Sequence, residues 1–158
     1  MNELGLKEIN NCAFLMSTAD VIKKLLLVAD YIAYGQPDKK LVEEVLRTRG
    51  FLKTAEHKRV PMQDNILIEK LLGSQGVICL EDLVDAFYSC KRDQVVYEAC
   101  RNALWPIQLA AKKDLIKDKS ITHEASGREF RKQISKFSKG GYLGMQGAKI
   151  NEYVRSLI

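Results

Sequence analysis

The apolar positions of the chain fall into short runs and helical stripes separated by polar breaks. Ile9–Met16 is a short apolar-rich run between polar residues and predicts a strand. Ser17 stands where it can cap a helix, with Asp20 three residues on as a capping-box acid. Val21, Ile22, Leu25, Leu26 and Ala29 follow at helical spacing and predict a buried stripe. Tyr31–Tyr34 predicts a second short strand, ended by Gly35-Gln36-Pro37, because proline removes a ladder donor and glycine permits the turn. Asp38 is a good N-cap for a helix carrying Leu41, Val42, Val45 and Leu46 inward, and Gly50 sits where a helix-ending glycine belongs. Phe51–Met62 is basic and extended, with a hairpin expected around Thr54–His57. Asp64 caps a third helix that buries Leu67, Ile68, Leu71 and Leu72, with Gly73 closing it.

Gly76–Leu80 is a short apolar run. Leu80, Leu83, Val84, Phe87 and Tyr88 then give the clearest amphipathic helix of the chain. Gln94–Leu104 predicts a further helix, stopped by Trp105-Pro106, because the residue before proline disfavours helical geometry. Residues 110–122 are polar and lysine-rich and predict a loop. Between Glu124 and Phe137 a helix is expected, with Phe130, Ile134 and Phe137 on one side and Arg128, Arg131, Lys132 and Lys136 on the other, Lys139 following. Gly140, Gly141, Gly144 and Gly147 predict a flexible joint, and Lys149–Leu157 a last short helix with Ile150, Tyr153 and Val154 inward.

Composition narrows the class. At 158 residues and 46% hydrophobic, the chain has material for a core, which excludes wholesale disorder. No apolar run approaches the ~18 residues of a membrane span. Met1–Asn11 carries Glu3 and Glu8 and does not resemble a secretory signal. The net charge of +5 is unevenly placed. Residues 1–104 hold 14 basic and 15 acidic side chains, and residues 105–158 hold 11 and 5. Within the neutral part, Arg47, Arg49, Lys53, Lys58 and Arg59 face only Glu56. Two basic zones on a near-neutral scaffold point to a polyanion partner.

Catalytic chemistry is thin. Cys12, Cys79, Cys90 and Cys100 form no C-x-x-C pair, and His57 and His123 lie far from them, so ligand pairs for zinc are absent. The thiols read as reduced and structural, and no cysteine–base signature supports a nucleophile. Glu81, Asp82 and Asp85 sit at the start of a helix, the favourable end of its dipole. Gly140-Gly141-x-x-Gly144 lacks a preceding strand and a Lys-Ser/Thr ending, so it is no phosphate loop. Nucleic-acid chemistry is better supplied. Arginine forks suit phosphate oxygens, and Gly50 lets a backbone approach. His57 and Phe51 can stack on a base, Phe51 being equally suited to the core. Lys112, Lys113, Lys117 and Lys119 have the form of an arm along a phosphate backbone.

An ordered set of motifs then resembles the large-subunit ribosomal protein family L-thirty, called L-seven in eukaryotes. They are Tyr34-Gly35-Gln36-Pro37, Arg49-Gly50, Arg59-Val60-Pro61-Met62-Gln63-Asp64-Asn65, Gly76 to Leu83, Glu98-Ala99, Leu104-Trp105-Pro106, and Gly140-Gly141-x-x-Gly144 ahead of Ile150-Asn151. The resemblance implies an α+β fold: a small ferredoxin-like (split strand-helix-strand) core with a helical addition and a basic C-terminal arm. The expected division is 1–37 core, 38–104 helical addition and 105–158 arm and last helix. It implies no enzyme activity and no cofactor, membrane or small-molecule substrate. The partners implied are large-subunit ribosomal RNA and neighbouring ribosomal proteins, in the cytoplasm. RNA contacts are then expected at Arg47, Arg49, Gly50, Lys53, Lys58, Arg59, Lys112, Lys113, Lys117, Lys119, Arg128, Arg131, Lys132, Lys136, Lys139, Gly140 and Gly141. Leu52 departs from the family, which has a second glycine there, and Met145-Gln146-Gly147 replaces its Asn-Arg-Glu. Rival readings are a ribosome-assembly factor and a small cysteine enzyme.

The resemblance begins inside what looks like the family's first core helix, so an earlier strand and helix are expected upstream of Met1, or else another strand or RNA beside Ile9–Met16. Within the chain, Gly76–Leu80 is the only strand foreseen for that edge.

Overall fold

The computed structural model describes residues 1–8, 10–54, 58–62, 64–88, 94–109 and 135–158. Helices and short strands mix along the chain, an α+β composition in which the described strands form three two-stranded sheets. The chain divides into two units. The first comprises Met1–Met16 and Asp38–Leu109, and the second Ser17–Pro37 with the described part of Ala110–Ile158.

Most of the core lies in the first unit. Helix α2 (Lys39–Arg49) starts after Asp38 and buries Leu41, Val42, Val45 and Leu46, the four positions its period predicts. α3 (Asn65–Leu72) is capped by Asp64, whose carboxylate accepts from the Ile66 N–H at 3.0 Å. It buries Ile68 and Leu72, while Leu67 and Leu71 stay half-buried. α4 (Leu80–Tyr88) buries Leu80, Leu83, Val84, Ala86 and Phe87, and α5 (Gln94–Ala103) buries Tyr97 and Cys100. The Phe87 ring lies 5.4 Å from Phe14 and edge-on to Tyr97 at 5.6 Å. The Tyr97 hydroxyl donates to the Phe14 carbonyl at 2.7 Å, so this aromatic group ties the N-terminal segment to α4 and α5.

Two sequence expectations change here. The strand expected over Ile9–Met16 shrinks to β1 (Asn11–Cys12), and its partner is β5 (Ile107–Gln108), antiparallel, not Gly76–Leu80. A two-residue strand following Pro106 carries no period to read. Gly76 instead ends a 3-10 turn, Gly73–Gln75, after which Val77 is fully buried ahead of α4. The hairpin does form, as β3 (Phe51–Lys53) antiparallel to β4 (Arg59–Pro61). The Trp105 N–H donates to the Phe51 carbonyl at 2.8 Å, and Leu104 bridges Leu52, which fastens the hairpin to the end of α5.

In the second unit, α1 (Ala19–Val28) is capped one residue later than expected. The Thr18 hydroxyl, not Ser17, accepts from the Val21 N–H at 3.4 Å. Its expected buried stripe is a correction too: no residue of α1 is buried, and Ile22 and Leu26 are 45% and 65% exposed. Helical spacing makes a stripe but does not supply a surface to cover it. Among the described residues, the sheet of this unit is β2 (Ala33–Gly35) parallel to β6 (Gly144–Gly147), narrower than a ten-residue helix face. β6 replaces the flexible joint expected around its glycines. α6 (Ile150–Arg155) buries Ile150, Asn151 and Val154, and Asn151 donates to the Ala148 carbonyl at 2.8 Å.

Burial pushes the Cys12 thiol from 9.0 up to about 11. The thiolate is the reactive form, so near pH 8 Cys12 should alkylate roughly a hundredfold more slowly than an ordinary thiol. Mass-spectrometric timing of iodoacetamide labelling checks this, and labelling at the rate of a free cysteine would contradict it.

Candidate nucleic-acid interface

The first basic zone is built by one turn of chain. The last turn of α2 supplies Arg47 and Arg49, where positive charge also complements the helix dipole. Gly50 then turns the backbone directly into β3. Its φ of −76° is open to any residue. What demands glycine is space: a Cβ there would run into the Leu46 carbonyl oxygen, with the carbonyl carbon at 2.9 Å. The hairpin places Lys53, Lys58 and Arg59 beyond it. Lys53 and Arg59 stand directly opposite in the register. Thr54 and Lys58 close the hairpin end, the Thr54 N–H donating to the Lys58 carbonyl at 3.1 Å and the Lys58 N–H to the Thr54 hydroxyl at 3.2 Å.

Several of these cations have partners inside the protein. Arg47 Nη2 lies 2.9 Å from Glu43 Oε1, one helical turn back on an exposed face, where such a pair adds little stability. Hydrogen bonding from its own backbone, then from the Cys79 thiol, holds the Glu81 carboxyl below the usual carboxylate range, and the Arg47 charge adds to this. The Lys53 ammonium donates to the Asn102 carbonyl at 3.2 Å near the C-terminal end of α5. The Arg59 guanidinium carbon lies 3.6 Å from the centroid of the Phe51 ring. Arg49 is half-buried and Lys58 exposed. Leu52, at the position of the family's second glycine, is 1% exposed and belongs to the core.

The second basic zone lies in the other unit. Lys136 Nζ is 2.7 Å from Asp30 Oδ1, both side chains being more than half exposed. Lys139 is exposed in a 3-10 turn, Phe137–Lys139, that ends on Gly140 in the left-handed region at φ +80°. Gly141 is buried against the Ser135 carbonyl, where no Cβ fits. Lys149, which the sequence reading did not assign, sits 5.7 Å from the Phe137 ring. Its signal was present as a lysine beside a helix start, but the contact joins residues twelve apart. Lys112, Lys113, Lys117, Lys119, Arg128, Arg131 and Lys132 lie outside the described residues, as do His57, Cys90, the loop expected over 110–122 and nearly all of the helix expected up to Phe137.

Among the described residues, no group of three or more His, Cys, Asp or Glu could hold a metal ion, and no helix is long and apolar enough to cross a membrane. The first zone gathers five cations on the end of α2 and the hairpin, of which Arg47 is paired with Glu43. Lys53 and Arg59 are like charges directly opposed across an antiparallel pair, an arrangement that destabilises a hairpin unless an anion lies against it.

No family model matches the chain. Curated proteins do. The chain is 31% identical over 155 residues to large ribosomal subunit protein uL30A of Schizosaccharomyces pombe, covering 98% of this chain and 55% of that protein. It is 30% identical over 154 residues to large ribosomal subunit protein uL30 of Neurospora crassa, with the same two shares. The protein of that name from Dictyostelium discoideum is 36% identical over 106 residues, 67% of this chain and 42% of the relative. The chain thus spans about half the length of the curated relatives it matches.

Proposed function

We propose, from the premise that this chain belongs to the uL30 family of large ribosomal subunit proteins, that it is a structural, non-catalytic constituent of the large subunit and binds ribosomal RNA. The observation that supports RNA as the partner is the opposed Lys53–Arg59 pair on the hairpin that leaves α2 through Gly50. A polyphosphate backbone relieves that repulsion and gains charge-assisted hydrogen bonds in return. The mixture of helices and short strands suits the α+β class expected of the family. The working place of such a protein is the cytoplasmic ribosome, among neighbouring ribosomal proteins.

Ultraviolet crosslinking of isolated subunits, followed by peptide mapping, tests the assignment. Crosslinked ribonucleotides should concentrate on the peptides spanning Arg47–Arg59 and Lys136–Gly141. Crosslinks confined to other peptides would remove these residues from the interface.

A further inference from the structure

The two faces of the β3–β4 hairpin carry different chemistry. The register sets Phe51 opposite Pro61, Leu52 opposite Val60 and Lys53 opposite Arg59. Alternation sends Leu52 and Val60 to one face and Phe51, Lys53, Arg59 and Pro61 to the other. Leu52 is buried and bridges Leu104, so its face is the inner one. On the outer face the guanidinium of Arg59 lies over the Phe51 ring at 3.6 Å, which is van der Waals contact. Phe51 backs the guanidinium at that distance, and Arg59 is an exposed residue while Phe51 is half-buried. No ion pair among the described residues draws that guanidinium to a carboxylate.

A phosphate needs only a charge and a donor fork. A flat cation held against an aromatic ring offers something more, a platform the size of a base. We propose that this outer face receives an unpaired RNA base, stacked on the Arg59 guanidinium with Phe51 beneath it. The proposal rests on the RNA-binding reading above and narrows it to a class of RNA. In a duplex both faces of each base are covered by neighbours, so only a bulge, loop or strand end can enter. Stacking of this kind is worth roughly five- to a hundredfold in affinity per base.

The test uses the full chain with two RNA hairpins that differ only in one bulged purine, replaced by a fluorescent purine analogue. Total large-subunit RNA is measured in parallel. The wild-type chain should bind the bulged hairpin about tenfold more tightly than the paired one, with the analogue's fluorescence quenched by stacking. Arg59→Lys keeps the charge and loses the plane, so the preference for the bulge should fall towards one and the quenching should vanish. Phe51→Leu keeps apolar bulk without a ring and should lower the preference partway, with circular dichroism confirming a folded chain. Equal binding of both hairpins by the wild type, or an equal loss on both in Arg59→Lys, overturns base stacking while binding to large-subunit RNA keeps the RNA reading standing. Failure to bind large-subunit RNA overturns both.

Discussion

Raising the salt concentration from about 50 to about 200 mM will weaken binding of the chain to large-subunit RNA by roughly fifty- to five-hundredfold. Each phosphate neutralised by a lysine or arginine releases condensed counterions, and the loss scales with the number of contacts. Arg47, Arg49, Lys53, Lys58 and Arg59 occupy one turn of helix and the hairpin that follows it. About five contacts, at −0.7 to −0.9 each, give a slope of about −3.5 to −4.5, and about four give −3. Replacing Lys58 and Arg59 together by alanine should flatten the slope by about 1.5. Arg47 should matter less, because Glu43 already holds it at 2.9 Å. Replacing Lys112, Lys113, Lys117 and Lys119 by alanine tests the expected arm in the same way. Filter-binding titrations across the salt range read the slope directly, and a slope unchanged by either set would show that neither touches phosphate.

Gly50→Ala will destabilise the first unit by about 3 kcal/mol. The new methyl group meets the Leu46 carbonyl, and Leu46 is itself fully buried, so that backbone cannot give way. The turn must open instead. Opening it strains the hydrogen bond from the Gly50 N–H to Leu46 at 2.9 Å and that from the Met62 N–H to Gly50 at 3.2 Å, the two that hold the hairpin to α2. Overpacking costs about 1–3 kcal/mol and each weakened hydrogen bond about 1 more. Gly76→Ala is the internal comparison. Its φ is +73° but no atom lies within 4 Å of the added carbon, so only backbone strain of about 1–2 kcal/mol applies. Urea midpoints decide it, and a Gly50→Ala loss below about 1 kcal/mol would contradict the packing explanation.

The helices of the first unit were legible because their signals are local. Asp64 and the apolar spacing of α2 and α4 act within one or two turns of chain, and the structure keeps them, while α2 starts after Asp38 without a side-chain cap hydrogen bond. The hairpin was legible from a basic extended stretch around a polar turn. The pairing of β1 with β5 and of β2 with β6 was not, because each joins segments about a hundred residues apart and each strand is two to four residues long. A glycine-rich strand such as Gly144–Gly147 carries no strand propensity of its own, and its partner supplies the conformation. The exposure of Ile22 and Leu26 was illegible for the opposite reason, since a correct local period says nothing about what covers it.

The candidate site divides the same way. Its charges are visible in sequence, and so is the glycine that ends α2. Their engagements are not. Lys53 reaches Asn102 and Lys136 reaches Asp30 across long stretches of chain. Arg59 meets Phe51 only because an antiparallel register brings diagonal neighbours onto one face.

The most direct measurement is sedimentation of ribosomes from cells that make this protein, with the chain quantified in each fraction against established large-subunit proteins. A structural constituent will be found at about one copy per large subunit, in free subunits and in translating polysomes alike. Recovery only with precursor particles, as for an assembly factor, or only in the unbound fraction, would contradict the assignment.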